Sequence, residues 1–86
     1  MRKLSAFRMT PQQCKAARAL IEFTQQDLAK AARVGLQTLA DFERGARQPY
    51  ERTLADIQEA LEDAGIEFIL ENGGGPGLRL KKKAKR

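Results

Sequence analysis

The sequence contains no histidine, no tryptophan and a single cysteine among its 86 residues. One cysteine cannot form a disulfide within the chain, and without histidine there is no convincing ligand set for a zinc ion. With no recognisable pair of nucleophile and base, we expect no enzymatic activity and no metal or other cofactor. No apolar run approaches the roughly 20 residues that span a membrane, and the N-terminus lacks a signal-peptide core. The sequence therefore predicts one small cytoplasmic domain.

Charge is distributed unevenly along the chain, although its net value is +5. Residues 1–50 contain nine lysines and arginines against four acids, residues 51–77 one arginine against seven acids, and residues 78–86 six bases and no acid. This asymmetry indicates a basic binding face, an acidic face away from it and a basic tail. We expect residues 1–9 to form a basic mobile arm and residues 83–86 the tail. Charge that serves only solubility is the simpler alternative.

Four helices are predicted from apolar periodicity and capping signals, and they cover about residues 11–21, 25–32, 36–44 and 51–64. The first begins at Thr10, Pro11 and Gln13, which match a capping box with proline at the first helical position. The second follows Thr24, with Asp27 three residues later. Because the two central helices are too short to bury themselves, the flanking sequence must supply their core. Cys14 fits that core as a small apolar residue, and a reactive thiol is the alternative.

The spacing of apolar residues changes to two beyond Gly65. Apolar residues alternate with acids in residues 66–71 and with bases in residues 78–81, and the glycine-rich residues 72–77 lie between them. This alternation around a glycine-rich turn predicts a β-hairpin. A phosphate-binding loop is the alternative for the turn, but the turn lacks the lysine and the following helix that such a loop requires. A hairpin alone is only marginally stable in water, so it must pack on the helices or pair with a second copy. We expect the second arrangement, with residues 66–82 as a dimerisation element.

The segment from Thr24 to Pro49 contains a characteristic set of residues, which are Gln25, Leu28-Ala29, Val34, Thr38-Leu39, Phe42-Glu43, Gly45 and Pro49. With this set it resembles the helix-turn-helix of the Cro and phage-repressor family, and the resemblance covers roughly residues 10–65. The resemblance implies a mostly α-helical fold. It consists of a four-helix helix-turn-helix DNA-binding domain at residues 10–65, followed by a C-terminal β-hairpin.

Three positions depart from the pattern of that family. The turn residue that is usually glycine is Arg33, which can adopt positive φ at a cost of about 1 kcal/mol. The N-cap of the next helix, often serine or threonine, is Gly35, which is a tolerable N-cap. The glycine that usually closes the first helix is Glu22, so the end of that helix is less sharply defined.

The resemblance implies that the protein is a transcriptional regulator that binds double-stranded DNA as a homodimer. Of the two kinds of regulator, we expect a repressor. Its recognition helix, Leu36 to Arg44, would lie in the major groove. The residues assigned to DNA contacts are Gln25, Arg33, Leu36, Gln37, Thr38, Asp41, Arg44 and Arg47. Gln37 would pair with adenine, and Asp41 would accept from cytosine N4 or repel phosphate. Gln25 would hold a phosphate at a helix N-terminus.

Each of these assignments has an alternative that needs no DNA. Gln25 and Gln37 can be ordinary exposed helix residues, and Leu36 can be a core or staple residue. The resemblance also implies that Arg18, on the inner face of the first helix, pairs with Glu43 in a largely buried ion pair.

Two other functions are compatible with this fold. The protein can be the antitoxin of a toxin–antitoxin pair, with one surface for DNA and another for a partner protein. It can also be a non-specific nucleic-acid binder that acts through its basic arm and tail.

Overall fold

The computed structural model describes residues 9–69 and 73–81 of the chain. Its elements are helices α1 (Pro11–Ile21), α2 (Gln25–Ala32), α3 (Leu36–Glu43) and α4 (Glu51–Asp63), and strands β1 (Ile66–Ile69) and β2 (Gly77–Leu80). The predicted mostly α-helical fold with a C-terminal hairpin is therefore confirmed. Arg44 and Ala64, predicted as the last residues of their helices, are C-caps instead. The predicted tail, and the arm except for Met9, lie outside the described residues.

The first two helices begin with the capping boxes that the sequence predicts. The backbone N–H of Gln13 donates to Thr10 Oγ1, and the N–H of Thr10 donates to Gln13 Oε1, both at 3.0 Å. Thr24 and Asp27 exchange the equivalent pair of bonds at 2.9 Å. Each box satisfies N–H groups that would otherwise have no partner at the start of a helix, and so fixes where the helix begins.

The same two helices end on residues in the left-handed region, although neither residue is glycine. Glu22 has φ 59° and Arg33 has φ 60°. The backbone N–H groups that follow still bond back into the helix, from Phe23 to the carbonyl of Arg18 and from Val34 to that of Ala29. The turn between α2 and α3 is thus formed by a non-glycine residue, Arg33, whose left-handed conformation should cost about 1 kcal/mol.

The core lies between the four helices, and one face of the hairpin packs against α1 and α4. Its largest fully buried side chains are Phe42, Leu28, Leu39, Ile57, Leu61, Ile66 and Cys14. The role predicted for Cys14 as a core residue is confirmed. Met9, which we assigned to the arm, is also buried here, so the core includes the residue directly before the N-cap of α1.

The hairpin is a two-stranded antiparallel sheet that packs on the helices of its own chain. Its register pairs Ile66 with Leu80 and Phe68 with Leu78. Ile66 is fully buried, and Phe68 and Leu78 pack against the core. The hairpin therefore has a partner within the chain, which is the arrangement that we did not favour. Pairing with a second copy stays a prediction.

A side-chain hydrogen bond ties β2 to α1. Gln13 Nε2 donates to the carbonyl oxygen of Gly77 at 3.0 Å, and Gln13 is itself buried. One amide group thus caps α1 with its oxygen and holds the second strand with its nitrogen. On the outer side of the hairpin, Glu67 and Arg79 form an ion pair with an N–O distance of 3.1 Å.

Candidate nucleic-acid interface

Helix α3 has one face fixed in the core and the other open to solvent. Leu39 and Phe42 are buried on the inner face. Leu36 and Gln37 are exposed at its N-terminal end, and Thr38 is partly exposed beside them. Because the turn at Arg33 sets the angle between α2 and α3, the exposed N-terminal end of α3 is held on a rigid support. Leu36 lies on the outside, as predicted for a contact residue, rather than in the core.

Three predicted site residues on α3 form one hydrogen-bonded group. Asp41 Oδ1 accepts from Gln37 Nε2 at 2.9 Å and from Arg44 Nη2 at 2.7 Å. Helical spacing explains the group, since residues three and four apart are neighbours on a helix surface. The hydrogen bond from Gln37, followed by the one from Arg44 and the charges of Arg44 and Arg47, lowers the pKa of Asp41. Asp41 is therefore a carboxylate at neutral pH.

A second group of polar residues lies behind α3 and surrounds Glu43. Arg18 donates to Glu43 through Nε at 2.8 Å and through Nη2 at 2.7 Å. Gln25 Nε2 donates to the same carboxylate at 2.9 Å, and Cys14 Sγ donates at 3.1 Å. Arg18 Nη1, which does not bond to Glu43, donates to the carbonyl oxygen of Phe23. The ion pair that the resemblance implied is thus present, and it joins α1 and α2 to the C-terminal end of α3.

The electrostatics of this second group follow from its burial. Burial alone would raise the pKa of Glu43, but the hydrogen bonds from Arg18, Gln25 and Cys14 outweigh it, and the pKa of Glu43 is lowered. Burial and the neighbouring carboxylate raise the pKa of the Cys14 thiol well above its usual range. The thiol therefore stays protonated and acts as a hydrogen-bond donor, and a reactive thiolate is not formed here.

Gln25 lies in a different environment from the one expected of an exposed phosphate contact. Its side chain is only partly exposed, because its amide nitrogen donates to Glu43. It lies at the first position of α2, where free backbone N–H groups favour an anion. The location thus agrees with the prediction, while the side chain also serves the ion pair.

A groove of about 400 Å³ separates the N-terminal part of α3 from the start of α4. Its lining residues are Thr38, Arg47, Gln48, Pro49, Tyr50 and Thr53. Two of them, Thr38 and Arg47, were predicted site residues, and the groove brings them together. Tyr50 was not predicted, and this residue is 86% exposed. The sequence could have identified Tyr50 as a site residue, because it is an aromatic residue directly before the start of a helix in a basic part of the chain.

A shallower depression lies on the opposite side of α3. Lys15, Gln25 and Arg44 contribute to its wall, together with the Arg18–Glu43 pair. Lys15 is exposed and was also absent from the predicted site. Exposed bases thus stand on both sides of α3, with Arg47 on one side and Lys15 and Arg44 on the other. Arg33, the remaining predicted residue, is exposed at the turn before α3.

Membrane-spanning helices and metal-binding clusters are both absent from the described residues, 9–69 and 73–81. No helix there is both long and apolar enough to cross a membrane. In the same residues, no three cysteine, aspartate or glutamate side chains are placed to hold a metal ion.

Comparison with known protein families identifies a match to this chain. The profile of a family described as helix-turn-helix matches residues 15–64, which is more than half of the chain. Among curated proteins, no sequence matches the chain significantly. The matched segment contains α2, α3 and α4 and most of α1, so it includes both sides of the groove beside α3.

Proposed function

Because the chain belongs to the Cro/C1-type helix-turn-helix family of DNA-binding transcription regulators, we propose that it represses transcription by binding a specific sequence in double-stranded DNA. The observation that carries the proposal is the form of α3. Its inner face is anchored by Leu39, Phe42 and the Glu43 ion pair, while its outer face presents polar side chains. Members of this family act by binding DNA, and we assign no catalytic step to the chain.

We place α3 in the major groove with its N-terminal end toward the base edges. Gln37 would contact adenine through N6 and N7, and Thr38 and Leu36 would contact neighbouring groups such as the thymine methyl. The exposure of Gln37 and Leu36 supports this assignment, because neither side chain is needed by the core. Sequence preference would therefore depend mainly on these residues.

The exposed bases on both sides of α3 are suited to the two phosphate strands that border a major groove. Arg47 would contact one strand, beside the groove that Tyr50 lines, and Lys15 and Arg44 would contact the other. Phosphate contacts position a protein on DNA without reading its sequence, and they make its affinity dependent on salt. The acidic residues of α4 and β1 would then face away from the DNA.

A homodimer would place two copies of α3 on half-sites about one helical turn, or ~34 Å, apart. The DNA site bound by the dimer would then be a near-palindrome, and we place this binding in the cytoplasm. The outer edges of the two-stranded hairpin remain our proposal for the dimer contact, since the inner face is occupied by the helices.

The test is selection of bound duplexes from a random DNA pool at fixed salt, with unrelated DNA as competitor. We expect one enriched motif with two related half-sites. Gln37→Ala should lose preference at one base pair per half-site, while Gln58→Ala, a matched change on α4, should keep the whole motif. If the pool shows no enrichment, the protein binds nucleic acid non-specifically and the proposal is wrong.

The antitoxin alternative requires a second, protein-binding surface in addition to α3. The acidic outer side of α4, with Glu59 and Asp63 exposed, is the candidate for that surface. A small basic protein that co-purifies with the chain from its native host, and is lost in Glu59→Lys, would favour this function over a simple repressor.

A further inference from the structure

Asp41 lies at the centre of the exposed polar group on α3. Gln37 precedes it by four residues and Arg44 follows it by three, and both donate to the same oxygen, Oδ1. The Asp41 side chain is only 18% exposed, although it lies on the outer side of the helix, while that of Arg44 is 65% exposed. The carboxylate is thus held between two neighbours and is not a freely solvated charge.

The bond to Asp41 determines what Gln37 can offer to a base. A glutamine amide has one acceptor oxygen and two N–H donors. One N–H points to Asp41 at 2.9 Å, so the amide retains one donor and one acceptor. Without that bond, the amide could also turn and present both N–H groups to the same base.

We infer that Asp41 is a positioning residue that makes Gln37 selective for adenine over guanine. This inference rests on the proposed binding of α3 to the major groove. Adenine presents one donor, N6, beside one acceptor, N7, and this pair matches the donor and acceptor that Gln37 retains. Guanine presents two acceptors, N7 and O6, and can be satisfied only by an amide with both N–H groups free.

Arg44 holds Asp41 in place for this role. Its Nη2 group bonds to the same carboxylate oxygen at 2.7 Å, and Asp41 cannot then rotate away without breaking an ion pair. The arginine still has four other N–H donors for a phosphate. We therefore assign Arg44 an indirect effect on base preference, through Asp41.

The DNA test compares sequence preference among variants of the full chain. In a random-pool selection, Gln37→Ala identifies the base pair that Gln37 reads, and the wild type should prefer adenine there. Asp41→Ala should lower the adenine-to-guanine ratio at that base pair at least about fivefold, as expected for loss of one directed contact. Asp41→Asn should stay within about twofold of the wild type, because its amide oxygen still accepts from Gln37.

Matched controls separate positioning from charge. Asp41→Asn and Asp41→Ala both remove the carboxylate, so both should raise affinity for unrelated duplexes to the same extent. Glu59→Ala removes one exposed acid from α4 and should leave the adenine-to-guanine ratio unchanged. Equal ratios in Asp41→Ala and wild type, or a ratio in Asp41→Asn as low as in Asp41→Ala, would overturn the inference. So would a wild-type preference for another base at that position.

A measurement without DNA distinguishes failure of this inference from failure of the proposed function. In NMR spectra of the free protein, the two side-chain N–H signals of Gln37 should move as Asp41 is protonated at low pH. They should not move in Asp41→Asn, and Glu59→Ala should behave as the wild type. Wild-type signals that do not respond would overturn the positioning role itself. A response together with a pool that shows no motif would instead refute specific DNA binding.

Discussion

Removing the charge of Arg18 should destabilise the protein more than removing the charge of its partner. The Arg18 side chain is 19% exposed and that of Glu43 is 2% exposed. In Arg18→Met the apolar stem is kept, but a buried carboxylate loses its counter-charge. In Glu43→Gln the remaining guanidinium can still reach water. The structure therefore predicts that Arg18→Met loses more stability than Glu43→Gln.

The magnitude follows from the cost of a stranded buried charge. Breaking a buried ion pair on one side costs about 3–5 kcal/mol. Because Gln25 and Cys14 still donate to Glu43, we take the lower end, ~3 kcal/mol, for Arg18→Met. Glu43→Gln should cost about 1.5 kcal/mol, and the double variant should show a coupling of at least about 1 kcal/mol. For a domain of this size, 3 kcal/mol lowers Tm by roughly 12–24 °C.

The pH dependence gives an independent check of the same pair. The pKa of Glu43 is lowered in the folded chain, so its contribution is complete above the unfolded value of about 4.3 and is lost as pH falls through the folded value. In Arg18→Met, burial without the counter-charge should raise the pKa of Glu43 instead. The difference in stability between wild type and Arg18→Met should therefore shrink as the pH is lowered from 7 toward 4.

The assay is urea unfolding followed by circular dichroism at several pH values, with Lys15→Met as the control. That variant removes an exposed cation from the same helix and should cost less than about 0.5 kcal/mol. If Arg18→Met and Glu43→Gln cost the same, or if the pH profile of Arg18→Met parallels that of the wild type, the carboxylate is not stranded. The account of the buried pair would then be wrong.

Three further predictions concern the backbone, the interface and the assembly. Glu22→Gly should raise the free energy of unfolding by up to about 1 kcal/mol, because glycine adopts φ 59° without strain; a loss in urea unfolding would contradict this. Arg47→Ala should weaken binding to all duplexes alike and reduce the salt slope by about one, as measured by titration at several salt concentrations; an altered motif would instead make Arg47 a base contact. Truncation after Gly65 should abolish dimerisation in sedimentation experiments, and a truncated chain that dimerises as well as the full one would exclude the hairpin as the dimer contact.

The helices could be predicted because their signals are local. Thr10 and Gln13, and then Thr24 and Asp27, fix the two starts through bonds between residues three apart. The Arg18–Glu43 pair could be predicted only from the resemblance, since neither its spacing in sequence nor its residue types distinguish it from a surface pair.

The position of the hairpin could not be predicted in the same way. Alternation of apolar residues identifies strands but not the surface that they cover. Its packing on the helices depends on Ile66 entering the core and on the bond from Gln13 to Gly77, two residues separated by 64 positions. No local sequence pattern indicates a contact between residues that lie so far apart in the chain.

Only part of the candidate site could be predicted from the sequence, because the other part depends on contacts between separate helices. The family resemblance identified Gln37, Asp41 and Arg44 as outward residues, and the structure joins them into one group. The sequence did not indicate that the amide of Gln25 also serves Glu43, or that Tyr50 and Lys15 border α3. Those features depend on how the helices are arranged in space.

The bond between Gln13 and Gly77 also has a consequence for synthesis of the chain on the ribosome. Helix α1 is made before β2, yet one amide group of Gln13 contacts both elements. Until β2 emerges, Gln13 Nε2 lacks the acceptor that it has in the finished protein, and the strand that pairs with buried Ile66 is missing. The newly made helices should therefore reach full stability only after β2 has left the ribosome, and a chain that terminates before β2 should be degraded faster than one that contains it.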